Sequence, residues 1–195
     1  MKKASKPSLR KVLLVLGISL LVIPAVVFLC WQWGIHSAQK KAETYVSTLR
    51  SLTPAPQSAP LEERRDNTMA VLPLEGVNFT GILEFPKYDS ALPVCADWGK
   101  VSKYPCRLEG SVYDRSLKIG ATSQKGQYDF YREISVGDQV CFTDLQGNRF
   151  AYQVTDIRYE SHADEAALQK NDAALTLFIK NIYAFEYILI FCDPL

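Results

Sequence analysis

Residues 12–31 read VLLVLGISLLVIPAVVFLCW, twenty in a row without a charge. A helix rises about 1.5 Å per residue, so the run spans roughly 30 Å, the thickness of a bilayer's hydrocarbon. It predicts a transmembrane signal-anchor helix over residues 12–34. The run is longer than the roughly 7–15 residues of a cleaved signal's apolar stretch, and no clean small-x-small site follows it. Lys2, Lys3, Lys6, Arg10 and Lys11 precede it, and no acid appears before Glu43. The positive-inside bias therefore predicts a cytoplasmic basic segment over residues 1–11, with the C-terminal part outside the cell. Trp31 and Trp33 are expected at the outer interface, and Pro24 is tolerated inside the span as a kink.

Those five cations in the first eleven residues leave a net charge of −4 for the rest of a chain whose formal charge is +1. With 48% hydrophobic and 22% charged residues, the chain is neither a disordered tail nor a nucleic-acid binder with a dominant basic face. Residues 35–77 are expected to be a stalk and linker. Helix formers from Ala38 to Glu43 suggest a short stalk helix ending near Leu52, and Pro54, Pro56 and Pro60 favour extended chain after it. Residues 61–77 show no pattern and are expected to be a plain spacer.

From residue 78 onward the pattern changes to short strand-like runs between turn residues. Strands are expected over 79–85, 91–94 and 173–179, over 187–192, and over 111–121 with a break at Asp114-Arg115. The clearest hairpin joins 139–144 to 149–159 through Leu145-Gln146-Gly147-Asn148. Residues 128–134 and 163–172 are expected to be short helices. Seven or eight short strands with one or two small helices predict a mainly β domain over residues 78–195, closed or nearly closed as a barrel.

Six groups of residues in this domain, taken in order and spacing, resemble the sortase family, with a class B-like domain. They are Gly81-Ile82-Leu83-Glu84-Phe85-Pro86, Leu92-Pro93-Val94, Cys106-Arg107 with Gly110-Ser111, Leu117-Lys118-Ile119-Gly120-Ala121, Gly137-Asp138-Gln139-Val140-Cys141-Phe142-Thr143-Asp144 with Gly147-Asn148 and Tyr152-Gln153-Val154, and Leu175-Thr176-Leu177-Phe178. The resemblance covers roughly residues 79–192. It implies a sortase-like eight-stranded β-barrel behind a signal-anchor at the surface of a Gram-positive cell. Active members are cysteine transpeptidases that attach surface proteins or pilins to the cell wall. They use a Cys nucleophile, a His and an Arg.

At the corresponding strand ends this chain carries Thr122 for the His, Lys180 for the Cys and Tyr187 for the Arg. Its only histidines are His36 and His162, no Arg follows Arg158, and residues 176–187 contain no Cys. A threonine has no imidazole-range pKa, and a lysine amine cannot form a thioester. The resemblance with these substitutions implies a catalytically inactive pseudo-sortase that binds a sorting-signal peptide, a surface protein, a pilin or an active sortase. An active enzyme using relocated residues and a purely structural barrel are the alternatives. The cleft candidates are Thr122, Ser123, His162, Lys180, Tyr183 and Tyr187; the aromatics Tyr128, Phe130, Tyr131 and Phe185 flank the same cleft or pack the core.

Four cysteines lie beyond the span: Cys95, Cys106, Cys141 and Cys192. They allow three full pairings, and buried free thiols are the other outcome. The family resemblance favours Cys106 with Cys192. Glu160, His162, Asp164 and Glu165 lack a second ligand cluster, so no metal is expected, nor any cofactor.

Overall fold

The computed structural model describes residues 9–58, 68–161, 172–184 and 186–195. One long helix, α1 (Leu9–Leu52), is followed by ten strands and two single-turn 3₁₀ segments. The strands are β1 (Gln57–Ser58), β2 (Leu72–Leu74), β3 (Val77–Phe85), β4 (Ser90–Cys95), β5 (Cys106–Glu109), β6 (Leu117–Thr122), β7 (Gln139–Asp144), β8 (Asn148–Glu160), β9 (Leu175–Asn181) and β10 (Glu186–Pro194).

Eight of them form a closed ring. The hydrogen-bonded order runs β8, β10, β9, β6, β5, β4, β3, and β7 pairs with both β3 and β8, which returns the path to its start. The fold is therefore a mainly β eight-stranded barrel, and closure leaves the ring no free edge. β1 lies parallel to β8 and β2 antiparallel to β3, both outside the ring.

Alternation along each strand decides what fills the ring. In β6, Leu117, Ile119 and Ala121 join Leu175, Leu177 and Ile179 of β9 and Ile188 and Ile190 of β10 in the main buried cluster. Each of the leucines and isoleucines contributes about 1.5–3 kcal/mol through burial. Turn chemistry fixes the register. Glu75 and Gly76 both have positive φ, 47° and 76°, as the two-residue turn between β2 and β3 requires. In the β7–β8 turn, the Asp144 carboxylate accepts from the backbone N–H groups of Gln146 and Asn148 at 2.8 Å each and from Tyr113 Oη at 2.6 Å.

Three local expectations are corrected. Residues 106–109 form β5, which is too short to show alternation, while 111–116 is a turn with Arg115 at φ 57°. There, Asp114 Oδ1 accepts from the N–H groups of Ser111 and Ser116, each at 3.1 Å. Residues 128–133 are successive turns, with Tyr131 N–H donating to Tyr128 O at 3.1 Å and Glu133 N–H to Phe130 O at 2.9 Å, in place of the expected helix. The helix expected over 163–172 lies outside the described residues except at Asp172.

The chain divides into two compact units, residues 1–37 and 38–195. In the second, the end of α1 is not a spacer: Tyr45, Val46 and Leu49 are buried with Phe79, Cys95, Tyr104 and Cys106 in a cluster of their own. The spacing of 45, 46 and 49 puts all three on one helical face. Tyr45 Oη donates to Glu75 Oε2 at 2.9 Å, and Glu84 bridges Arg50 at 2.7 Å and Arg149 at 2.9 Å. These contacts join residues 38–52 to the compact unit that carries the barrel. In the first unit, α1 continues through Pro24, and residues 16–30 carry no charge; all of them but Ser19 are exposed. Among the described residues no helix is long and apolar enough to cross a membrane. Val12, Leu14, Val15, Trp31 and Gln32 of the expected span have side chains outside the described set.

Candidate functional site

Thr122, Lys180 and Tyr187 stand side by side. Thr122 ends β6, Lys180 stands near the end of β9 and Tyr187 near the start of β10. In the register of these adjacent strands, Thr122 opposes Lys180 and Lys180 opposes Tyr187. Directly paired residues project to the same side of a sheet. All three therefore share the outer face, since their neighbours Ala121, Ile179 and Ile188 fill the interior. The row continues to Glu160 of β8.

Backbone and side-chain bonds pin the end of β6 against β9. Thr122 N–H donates to Gln127 Oε1 at 2.8 Å, Ser123 N–H to Lys180 O at 3.0 Å, and Tyr128 N–H to Thr122 O at 3.3 Å. Ser123 Oγ donates to Asn181 Oδ1 at 3.4 Å and accepts from Ile182 N–H at 3.2 Å. Asn181 Nδ2 in turn donates to Tyr131 Oη at 2.9 Å and Glu186 Oε1 at 2.7 Å. Ser123, with all its bonds directed into this network, is held as a structural anchor. The Thr122 hydroxyl is buried without a partner among the described residues.

The next row toward the barrel's middle consists of Gly120, Phe178 and Leu189. Here glycine is required by close approach: a Cβ at Gly120 would lie 2.4 Å from two ring atoms of Trp98. Trp98 rides on the 3₁₀ turn Trp98–Lys100, capped by Asp97 Oδ1 accepting from Gly99 N–H at 3.0 Å. Phe178 stacks on Tyr187 with ring centres 5.1 Å apart. An aromatic floor thus borders the polar row. Sequence reasoning missed Trp98, Gln127 and Asn181. The glycine in an otherwise filled strand was the available signal for Trp98, while Gln127 and Asn181 carried none.

Tyr183 is exposed, next to Asn181, which takes its N–H at 3.0 Å. Tyr128 is wholly buried, edge-on to Phe85 at 5.6 Å, so it packs the core and does not line the cleft. Tyr131 is buried too, and Phe130 stacks on Tyr88 at 5.1 Å. His162, Asp164, Glu165 and Phe185 lie outside the described residues, so of the acidic and histidine group only Glu160 is placed.

The Cys106–Cys192 pairing is corrected. Both are free thiols. β5 and β10 are separated by β6 and β9, three strand spacings of about 4.8 Å, well beyond the roughly 7 Å limit between bridged Cα atoms. Elsewhere, a cleft of about 650 Å³ lies between Gln39 and Glu43 of α1 and the segments around Tyr88 and Asp129. Burial raises the Asp129 carboxyl above its ordinary range.

The architecture matches solved structures. Sortase C of Clostridium perfringens with the C-terminal cell wall sorting motif superposes with a TM-score of 0.51 at 18% identity, over 60% of this chain and 70% of that one. The chain has a sortase-like fold. Streptococcus suis sortase C1 gives 0.51 at 19% identity over 60% of this chain and 73% of its own. The Clostridium perfringens sortase D5 transpeptidase gives 0.51 at 13% identity over 60% and 79%. These sortase matches are of the C and D kinds, where the sequence resemblance pointed to a class B-like domain. No protein-family model and no curated protein matches the sequence. In this sortase-like barrel, a hydroxyl, an ammonium and a phenol form the row, groups that hydrogen-bond and attract anions.

Proposed function

We propose that this chain is a membrane-anchored, extracellular pseudo-sortase, which binds a peptide or protein segment along the Thr122–Lys180–Tyr187 row and does not cleave it. The observation that carries the reading is the in-register convergence of these three side chains at the ends of three adjacent strands. Cysteine transpeptidation needs a thiolate there, and the row offers none. The exposed, uncharged stretch over residues 16–30 and the basic residues before it support anchoring with the N-terminus inside. The C. perfringens sortase C structure holds a cell wall sorting motif, which makes such a peptide the first ligand to try.

The test is incubation of the purified full-length protein with sorting-signal peptides and an amine acceptor. Binding without turnover is expected, with Lys180→Ala weakening it about tenfold. Cleavage that a thiol-alkylating reagent abolishes would refute the pseudoenzyme reading and select a relocated active site.

A further inference from the structure

Cys95 ends β4 and Cys106 opens β5, and the two are the register partners of this parallel pair. Neighbouring strands lie about 4.8 Å apart, within the roughly 4.4–6.8 Å between Cα atoms that a disulfide spans. Cys95 N–H donates to Pro105 O at 2.8 Å, which holds the strands at that spacing. Both thiols are fully buried, under Tyr45, Val46 and Leu49 of α1. The Cys95 thiol donates to Asp97 O at 3.5 Å and the Cys106 thiol to Tyr104 O at 3.2 Å; the neighbouring Cys106 thiol brings Cys95 down to about 7, while the neighbouring Cys95 and burial push Cys106 up. Cys141 instead opposes Ala151 and Glu84, and Cys192 packs in the interior cluster; neither opposes another cysteine.

We propose that Cys95 and Cys106 are an oxidisable pair that closes to an intramolecular disulfide, stapling the segment that carries Trp98 over Gly120. The oxidant is a small-molecule or protein disulfide, RSSR. The Cys95 thiolate attacks one of its sulfurs, giving the mixed disulfide Cys95–S–SR and releasing RS⁻. Cys106, its proton passing to RS⁻, attacks Cys95 Sγ and expels the second RS⁻, which is protonated by solvent. The sum is two cysteine thiols plus RSSR giving one cystine plus two RSH. Exchange takes place as the chain folds, before the α1 residues cover the pair. The staple follows from the barrel's own register and does not depend on the pseudo-sortase reading.

Its position gives it a role beyond bracing. Cys106 is the register partner of Gly120, which opposes Phe178 in the row beside Lys180 and Tyr187. Closing the loop therefore fixes Trp98 against the floor of the candidate groove.

The full-length protein, reduced and unfolded, is refolded in mixed reduced and oxidised glutathione, alkylated, and digested with trypsin without reductant. The expected product joins peptides 88–100 and 104–107, two hydrogens lighter than their sum, with Cys141 and Cys192 carrying the alkyl label. The oxidised form is expected to melt roughly 5–10 °C above the reduced one, a gap absent from the Cys95→Ser, Cys106→Ser double variant. Alkylation of both Cys95 and Cys106 after refolding, or a bond from either to Cys141 or Cys192, would overturn the proposal. The mapping uses the unaltered chain, so it decides the matter even where the double variant fails to fold.

Discussion

The inner and outer faces of β6, β9 and β10 belong to the same strands and obey different rules. Inside, Leu117, Ile119, Ala121, Leu175, Leu177, Ile179, Ile188 and Ile190 form one apolar surface in the main cluster. Outside, the same strands present Thr122, Lys180 and Tyr187, then Gly120, Phe178 and Leu189. The inner set specifies the barrel, because close packing penalises any lost methylene. The outer polar row lies outside that cluster, so its chemistry can change while the barrel stays. A sortase-like fold carrying Thr122, Lys180 and Tyr187 at these strand ends is compatible with that separation.

The largest effect should come from the inner face. Leu177→Ala is expected to cost about 2–5 kcal/mol, read as a lowered urea midpoint; a loss below about 1 kcal/mol would mean the core does not set stability. Next comes a tie between barrel segments. Asp138 accepts from Lys87 at 2.8 Å, from Tyr88, and from Ser135 N–H at 2.9 Å. Burial pushes its carboxyl up, and these bonds more than reverse that, leaving it below its ordinary 3.8. A lowered carboxyl stabilises above its unfolded value and loses that contribution as pH falls through the folded one. Asp138→Asn should therefore cost about 1–3 kcal/mol at neutral pH, and the difference in melting should close below about pH 3.8. A gap that stays constant with pH would assign the effect to packing.

Gly120→Ala tests whether the outer face is free everywhere. Its Cβ would meet the Trp98 ring at 2.4 Å, so the variant should lose about 1–3 kcal/mol and shift Trp98 fluorescence to the red. Unchanged emission would show that Trp98 does not rest on this row. The smallest stability effect belongs to Lys180→Ala, exposed and without a core contact, within about 0.5 kcal/mol of the parent. Its melting should be flat while peptide binding falls, and a large drop in melting would erase the distinction between the two faces.

Much of the barrel was legible in the residues. The hairpin through Gln146-Gly147 and the apolar β9 and β10 follow from turn chemistry and alternation, which are local, whereas Thr122, Lys180 and Tyr187 were singled out by the family resemblance. β5 was not legible, since four residues with one buried cysteine carry no period. The packing of Tyr45, Val46 and Leu49 was hidden because an amphipathic turn looks the same whether it is a stalk or a core element. The cysteine partner was hidden for the same kind of reason: Cys106 meets Cys95 through a parallel pairing that no spacing encodes.

The order of residues alone determined the uncharged run over 12–31, the strand-rich C-terminal part and which residues, Thr122, Lys180 and Tyr187, stand near the strand ends. Tertiary structure alone decided that β7 closes the ring between β3 and β8, that Thr122, Lys180 and Tyr187 stand in one row, and that two thiols face each other beneath α1. Local pattern records which way a side chain must point, whereas strand order and register arise from contacts between residues far apart in the chain, each of which has several equally apolar partners to choose from.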